Sequence, residues 1–357
     1  MTSTSTSTSE RYEPAVRILT DETSGLGNGS GGQLAIFRTG QEPLFASAGL
    51  MTPVTKMTDS VLHNVWCATK PIVAISVLHE LWQRGCAETP IAALVPKLVA
   101  DSLPPSVGGL TVADLVSHAG GLVTPGLFDA MMLAPEDREA SALAGLRFAQ
   151  SQPTYGSYLP AKLLEFVCRE LSVNLADTIR GWARANLQYH CEIEFDLGKG
   201  QIDRVGPYVV NRVNRMSYAY HDRSPNVCGQ DRIALGGFVS MRALAEFYFR
   251  LTDEDAFESQ FLSWLLSRPI ISVNDPSMDM TSSYQAGLLH LVVGKSNQVV
   301  LGHPGYSGCS FGFVAPKLGL AAAFMTNGLF VTHQDIDFFR TRMLSTIIRI
   351  AEIEALH

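Results

Sequence analysis

Short strand-like runs stand at the two ends of this chain and helical spacing fills the stretch between them. Any sheet the chain builds must therefore be closed by segments from opposite ends of the sequence. Gly32–Arg38 (GQLAIFR) and Pro43–Ala48 (PLFASA) flank Thr39-Gly40-Gln41 and read as a β-hairpin. Gln285–Val293, Gln298–Leu301, Ser310–Ala315 and Gly319–Phe324 read as strands, and Asp335–Ile353 as a closing helix. In between, Ile72, Val73, Ile75, Leu78 and Trp82 recur at helical spacing over Thr69–Arg84, with Gly85 as a stop. Helical patterns continue from Pro90 to about Leu187 and resume over Leu235–Phe249 after Gly236-Gly237. This order predicts an α+β fold in which an antiparallel sheet, flanked by N- and C-terminal helices, is interrupted by an inserted, mostly helical domain. The expected boundaries are a disordered tail over 1–12, a sheet domain over 13–62 and 230–357, and an insertion over 63–229 with a lid-like segment at 192–223.

Composition narrows the function. Only 17% of the 357 residues are charged while 46% are hydrophobic, so much of the chain must be buried. A net charge of −7 disfavours a general nucleic-acid role, which needs clustered basic surface. No uninterrupted apolar run is long enough to span a membrane. The N-terminal MTSTSTSTSE lacks the basic and apolar regions of a secretory signal, which predicts a cytoplasmic protein. Six cysteines (Cys67, Cys86, Cys168, Cys191, Cys228 and Cys309) are far apart, without a C-x-x-C pair. Neither a disulfide framework nor a zinc site is expected, and no cofactor is implied.

One of those cysteines carries more. In Trp66-Cys67-Ala68-Thr69-Lys70-Pro71, Cys67 and Lys70 are three residues apart at the start of an apolar helix. That spacing puts an amine beside a thiol where the helix N-terminus favours an anion. The segment resembles the S-x-x-K motif of the serine β-lactamase and penicillin-binding-protein superfamily, with cysteine in place of serine. None of the seven lysines has Ser or Thr three residues earlier. Four further stretches resemble motifs of the esterase-like and class C-like members in the same order. Leu115–Leu122 (LVSHAGGL) resembles the stretch after the nucleophile helix, and Tyr155-Gly156-Ser157 resembles the Tyr-x-Asn motif. Gly236–Ser240 (GGFVS) resembles a glycine turn, and Gly302-His303-Pro304-Gly305 with Gly319–Asn327 resembles the strand pair at the Lys-Thr-Gly position. The resemblance covers about residues 32–350 and implies a β-lactamase/transpeptidase-like fold.

It also implies roles. Cys67 stands as nucleophile, Lys70 as its electrostatic partner, and Tyr155 as the acid/base that relays a proton to the leaving group. A cation or a helix N-terminus lowers a thiol's pKa, so Cys67 beside Lys70 reads as a preformed thiolate–ammonium pair. The backbone N–H groups of Cys67 and Tyr306 would form the oxyanion hole. Ser157, in place of the usual asparagine, and Gly305 would contact substrate. His303 would line the pocket with a partial charge near pH 7. His118 is read as support for the loop beneath the site, and Cys309 as a small buried residue.

The superfamily's fold does not set its substrate. A histidine at the Lys-Thr-Gly position weakens carboxylate binding, and a cysteine gives an acyl-thioester reactive toward amines. These features predict an acyltransferase forming an acyl-thioester on Cys67 and passing the acyl group to an amine, alcohol or water in small-molecule biosynthesis. A cytoplasmic esterase or amidase, and a non-catalytic binding or scaffold protein using the same pocket, are the alternatives. The expected partners are a small-molecule acyl donor and acceptor. The basic run Lys199, Arg204, Arg212, Arg215 and Arg223 suggests coenzyme A or a carrier-protein thioester as donor.

Overall fold

The computed structural model describes residues 8–25, 30–52, 54–123, 135–156, 158–195, 205–206, 208–211, 217–220, 236–253, 257–275, 280–305, 310–329 and 333–356. Its centre is a nine-stranded antiparallel sheet drawn from both ends of the chain. The strands are β1 (Gly31–Arg38), β2 (Leu44–Thr52), β3 (Thr55–Lys56), β4 (Ile271–Asp275), β5 (Met280–Gln285), β6 (Leu288–Val293), β7 (Gln298–Pro304), β8 (Ser310–Ala315) and β9 (Leu320–Thr326). They lie side by side in the order β3-β2-β1-β9-β8-β7-β6-β5-β4. The closing pair is β1 with β9, in which Leu34 faces Phe324 and Ile36 faces Ala322.

The longer helices among the described residues include α1 (Glu13–Gly25), α2 (Lys70–Gln83), α3 (Leu159–Glu170), α4 (Leu175–Asn186), α5 (Met241–Arg250), α6 (Ser259–Leu266) and α7 (His333–Glu354). Strand β9, LAAAFMT, is buried along its whole length, and its two sets of alternate side chains enter different cores. Leu320, Ala322 and Phe324 join Leu19 of α1 and Phe339, Met343 and Ile347 of α7 on one face. Ala321, Ala323 and Met325 join α2, α3 and α5 on the other. This is the two-residue period of a strand covered on both faces. Small residues let α5 lie close: a Cβ at Gly312 in β8 would overlap Tyr248.

The strand expected at Gln285–Val293 is a hairpin, β5 and β6, that turns at Ala286 and Gly287, both with positive φ. Strand β4 has no counterpart in the sequence reading. Its Ile271–Asp275 sequence, ISVND, follows the turn after α6 and carries little alternation of its own. A helical turn at Thr8–Arg11 and the fully buried Tyr12 fall inside the stretch expected as a disordered tail. Arg11 pairs with Glu354 at 3.2 Å and Arg38 also pairs with Glu354, which joins the N-terminal segment, β1 and the end of α7.

The segment expected as a lid is tied down where it begins. Glu192 is buried and ion-paired with Arg242, and it accepts a hydrogen bond from Ser240 Oγ at 2.5 Å. Residues Ile193–Glu194 then pair with Phe238–Val239, which pair in turn with His63–Asn64. Further on, Tyr208–Asn211 and Ser217–Tyr220 are antiparallel strands rather than irregular chain. The basic residues Lys199, Arg204, Arg212, Arg215 and Arg223 lie outside the described residues. No helix among the described residues is long and apolar enough to cross a membrane.

Candidate active site

The chain enters the site through His63–Asn64, the strand paired with Phe238–Val239. It then forms a 3₁₀ turn, Trp66–Thr69, before α2 begins at Lys70 with Pro71 in its first turn. The sequence pattern places Cys67 at the start of an α-helix; the structure places it in the tighter turn ahead of one. In a 3₁₀ turn residues i and i+3 eclipse one another, so Cys67 and Lys70 are brought together by local geometry alone. Both are half-buried, while Ala68 and Thr69 between them are fully buried.

Trp66 holds a left-handed backbone, φ +49°, immediately before Cys67. Such a conformation costs a non-glycine residue of order 1–3 kcal/mol and persists only where the surroundings over-determine it. Here the surroundings are specific. Thr69 Oγ1 donates to the Trp66 carbonyl at 2.9 Å and accepts from the Gly237 N–H at 2.8 Å. Val65 N–H donates to the Gly237 carbonyl at 3.2 Å, and Asn64 Oδ1 accepts from the Trp66 N–H at 3.2 Å. Gly236, φ +118°, lies so close that a Cβ there would overlap the Trp66 carbonyl. Gly236→Ala is therefore expected to cost about 2–3 kcal/mol of stability. A denaturation midpoint equal to wild type would show that the turn is held by other means.

Tyr155 arrives from a different part of the chain. Its N–H donates to the Asn274 carbonyl at 2.8 Å and Asn274 N–H donates to the Pro153 carbonyl at 3.0 Å, so the Tyr155 loop is zipped onto edge strand β4. Gly156 follows where the backbone touches the Leu122 carbonyl and no Cβ fits. From that anchorage the Tyr155 hydroxyl donates a hydrogen bond to the Cys67 thiol. Burial, with the Cys67, Tyr284 and Asp275 charges, raises the Tyr155 pKa well above the usual phenol value. Tyr155 is therefore a protonated donor in this site rather than a phenolate base. Burial lowers the Lys70 pKa below that of an ordinary lysine, and the Cys67 charge partly restores it.

His303, expected to carry partial charge, is neutral. Burial drives its pKa down to about 3, helped by the neighbouring Lys70 and opposed by a hydrogen bond from Nδ1 to the Pro304 carbonyl at 2.8 Å. The residue is 1% exposed, which the alternating pattern of β7 did not disclose. His118 supports the loop beneath the site as expected: its Nδ1 accepts from the Gly156 N–H at 3.4 Å. Its ring is also 4.4 Å from that of Tyr155, and burial holds it neutral.

Tyr284 was invisible to sequence reading. Strand β5 sets its ring 6.0 Å from Tyr155, 5.0 Å from His118 and 5.8 Å from His303, and burial keeps its hydroxyl protonated. Buried Asp275, on β4, is the other residue missed. Gly305 donates its N–H to the Ser310 carbonyl at 2.8 Å and packs where a Cβ would overlap Ser310 Oγ and approach the Val65 carbonyl. Tyr306, Ser157 and Cys309 lie outside the described residues.

Buried neutral imidazoles leave a thermodynamic signature. His63 and His303 have pKa values near 3 in the folded chain against 6.5 unfolded, and His118 is shifted in the same direction. The unfolded chain thus binds protons that the folded chain does not as pH falls below 6.5, and stability must fall with it. Each of His63 and His303 should remove about 2 kcal/mol by pH 5. Urea midpoints at pH 7.5 and pH 5 check this; equal midpoints would mean that the rings are solvated.

With this geometry in hand, comparison with known proteins is informative. A family model described as Beta-lactamase matches residues 20–167. No curated protein sequence matches the chain. Among solved structures, D-amino acid amidase from Ochrobactrum anthropi SV3, complexed with L-phenylalanine amide, superimposes with a TM-score of 0.75 at 17% identity. That match covers 95% of this chain and 99% of the amidase. A penicillin-binding protein homolog from Caulobacter crescentus gives a TM-score of 0.73 at 15% identity, covering 96% and 98% of the two chains. EstA from Arthrobacter nitroguajacolicus Rue61a gives 0.70 at 16% identity, covering 99% and 100%. The chain has the β-lactamase-like fold, an α+β architecture built on a large antiparallel sheet.

Proposed function

We propose that this protein is a covalent acyl-transfer enzyme that forms an acyl-thioester on Cys67 and passes the acyl group to an amine, alcohol or water. The observation that carries this reading is the hydrogen bond from the Tyr155 hydroxyl to the Cys67 thiol, with Lys70 on the same turn. In the first half-reaction the sulfur attacks the acyl carbonyl and the thiol proton passes to Lys70. The carbon–sulfur bond forms, the bond to the leaving group breaks, and Tyr155 protonates the leaving atom before recovering a proton from Lys70. In the second, the acceptor attacks the thioester and its proton goes to Lys70, the carbon–sulfur bond breaks, and Lys70 returns the proton to the departing sulfur.

A second reading, in which water is the sole acceptor, is supported by the amidase and carboxylesterase names among the proteins that share the fold. Intact-mass spectrometry after incubation with aryl esters and acyl thioesters, with and without amines, separates the two. Transfer predicts an acyl adduct discharged faster by amine than by water. Hydrolysis predicts equal discharge, and the absence of an adduct across the panel would refute both.

A further inference from the structure

The phenol that bonds the Cys67 thiol sits on a loop rather than on a strand or helix. Its backbone is fixed, since the Tyr155 N–H donates to the Asn274 carbonyl at 2.8 Å and the next N–H, that of Gly156, donates to His118 Nδ1 at 3.4 Å. Those bonds place the main chain and leave the ring two torsions. The hydroxyl lies at the far end of both, so a modest rotation at Cβ would carry it beyond hydrogen-bond reach of the sulfur. The ring itself must be held.

Three rings pack against it. Centre to centre, Tyr155 is 4.4 Å from His118, 6.0 Å from Tyr284 and 6.2 Å from His303. Tyr284 is in turn 5.0 Å from His118 and 5.8 Å from His303, so it backs the whole group. Its plane lies 29° from that of Tyr155, a near-parallel stack that a branched aliphatic chain cannot reproduce. Tyr284 is also built to be rigid. Ladder partners on both sides, Ile271 of β4 and Leu289 of β6, fix its backbone. The neighbouring Gln285 amide donates to the Leu266 and Arg268 carbonyls at 2.8 and 2.9 Å. At 3% exposure the Tyr284 side chain is confined by close packing.

We infer that Tyr284 is a positioning residue, whose ring holds the Tyr155 ring in the orientation from which its hydroxyl serves first the Cys67 sulfur and then the leaving atom. Tyr284 acts through Tyr155 and not on the substrate. The consequence is selective. When the bond to the leaving group breaks, a basic alkoxide needs the Tyr155 proton, whereas an acidic nitrophenolate departs without it. Loosening the Tyr155 ring should therefore slow expulsion of the first and largely spare the second. This inference rests on the acyl-transfer reading for the role of Tyr155, and the test separates the two.

Ethyl butanoate and p-nitrophenyl butanoate are the probes, because kcat/KM for each reports formation of the same acyl-enzyme. Tyr284→Leu should lower kcat/KM for the ethyl ester about tenfold to a hundredfold, the cost of misplacing a reacting group by about 1 Å, and lower the nitrophenyl value far less. Tyr284→Phe, which keeps the ring, should restore most of the ethyl-ester rate. In Tyr155→Phe, where no phenol is left to position, adding Tyr284→Leu should cost nothing further on the ethyl ester. Should Tyr284→Leu fail to fold, Tyr284→Met replaces it throughout. Equal losses on the two esters, a loss in Tyr284→Phe as large as in Tyr284→Leu, or additive losses in the double variant would overturn the inference and leave acyl transfer standing. Absence of turnover on both esters would overturn acyl transfer. In that case, and wherever the ethyl ester is untouched or Tyr155→Phe matches wild type on it, crystal structures of wild type, Tyr284→Phe and Tyr284→Leu decide the inference by geometry. A Tyr155 hydroxyl displaced from the Cys67 sulfur in Tyr284→Leu alone upholds it, and any other result overturns it.

Discussion

Replacing Cys67 with alanine should abolish both turnover and the acyl adduct, lowering kcat/KM by at least about a thousandfold, because the residue is proposed to form the covalent intermediate. The fold should survive the change. Cys67 is half-buried in a turn held by Thr69, Gly237 and Asn64 rather than by its own side chain. Cys67→Ser keeps a nucleophile of similar shape beside Lys70 and Tyr155, and should retain measurable activity. Full activity in Cys67→Ala, measured by continuous ester hydrolysis together with intact mass, would remove the covalent mechanism.

Removing the Lys70 amine should be nearly as damaging. Lys70→Met deletes the group proposed to receive the nucleophile's proton, and loss of a positioned base costs roughly a hundredfold to ten-thousandfold in kcat. The pH profile adds a readout that misfolding would not mimic. In Cys67→Ser the hydroxyl does not ionise, and the rising limb reports Lys70 losing its proton. Since burial lowers the Lys70 pKa from 10.5, that limb should lie below the ordinary lysine range and vanish in Cys67→Ser with Lys70→Met. A limb at the ordinary lysine value would show that the amine is solvated and acts otherwise.

The residues missed in the sequence share a property. Tyr284 lies in MTSSYQ, a stretch whose polarity suggests a loop, and becomes a wall of the site only because β5 pairs between β4 and β6. His118 reads as loop support and performs that role, and the fold also brings its ring to 4.4 Å from that of Tyr155.

What the sequence determined by itself is what neighbours along the chain decide. The alternation of β1, β8 and β9, the helical period of α2 and α7, and the three-residue spacing of Cys67 and Lys70 are local patterns, written in residues that meet because the backbone repeats. The tertiary structure alone decided the rest. It sets Gly236 against Trp66 and so strains the residue before Cys67, and it zips the Tyr155 loop to Asn274 so that the phenol reaches the thiol. It also buries His303 deeply enough to strip its charge. Protonation state follows from burial and from charges brought near by folding, and neither is a property of a residue's neighbours in sequence.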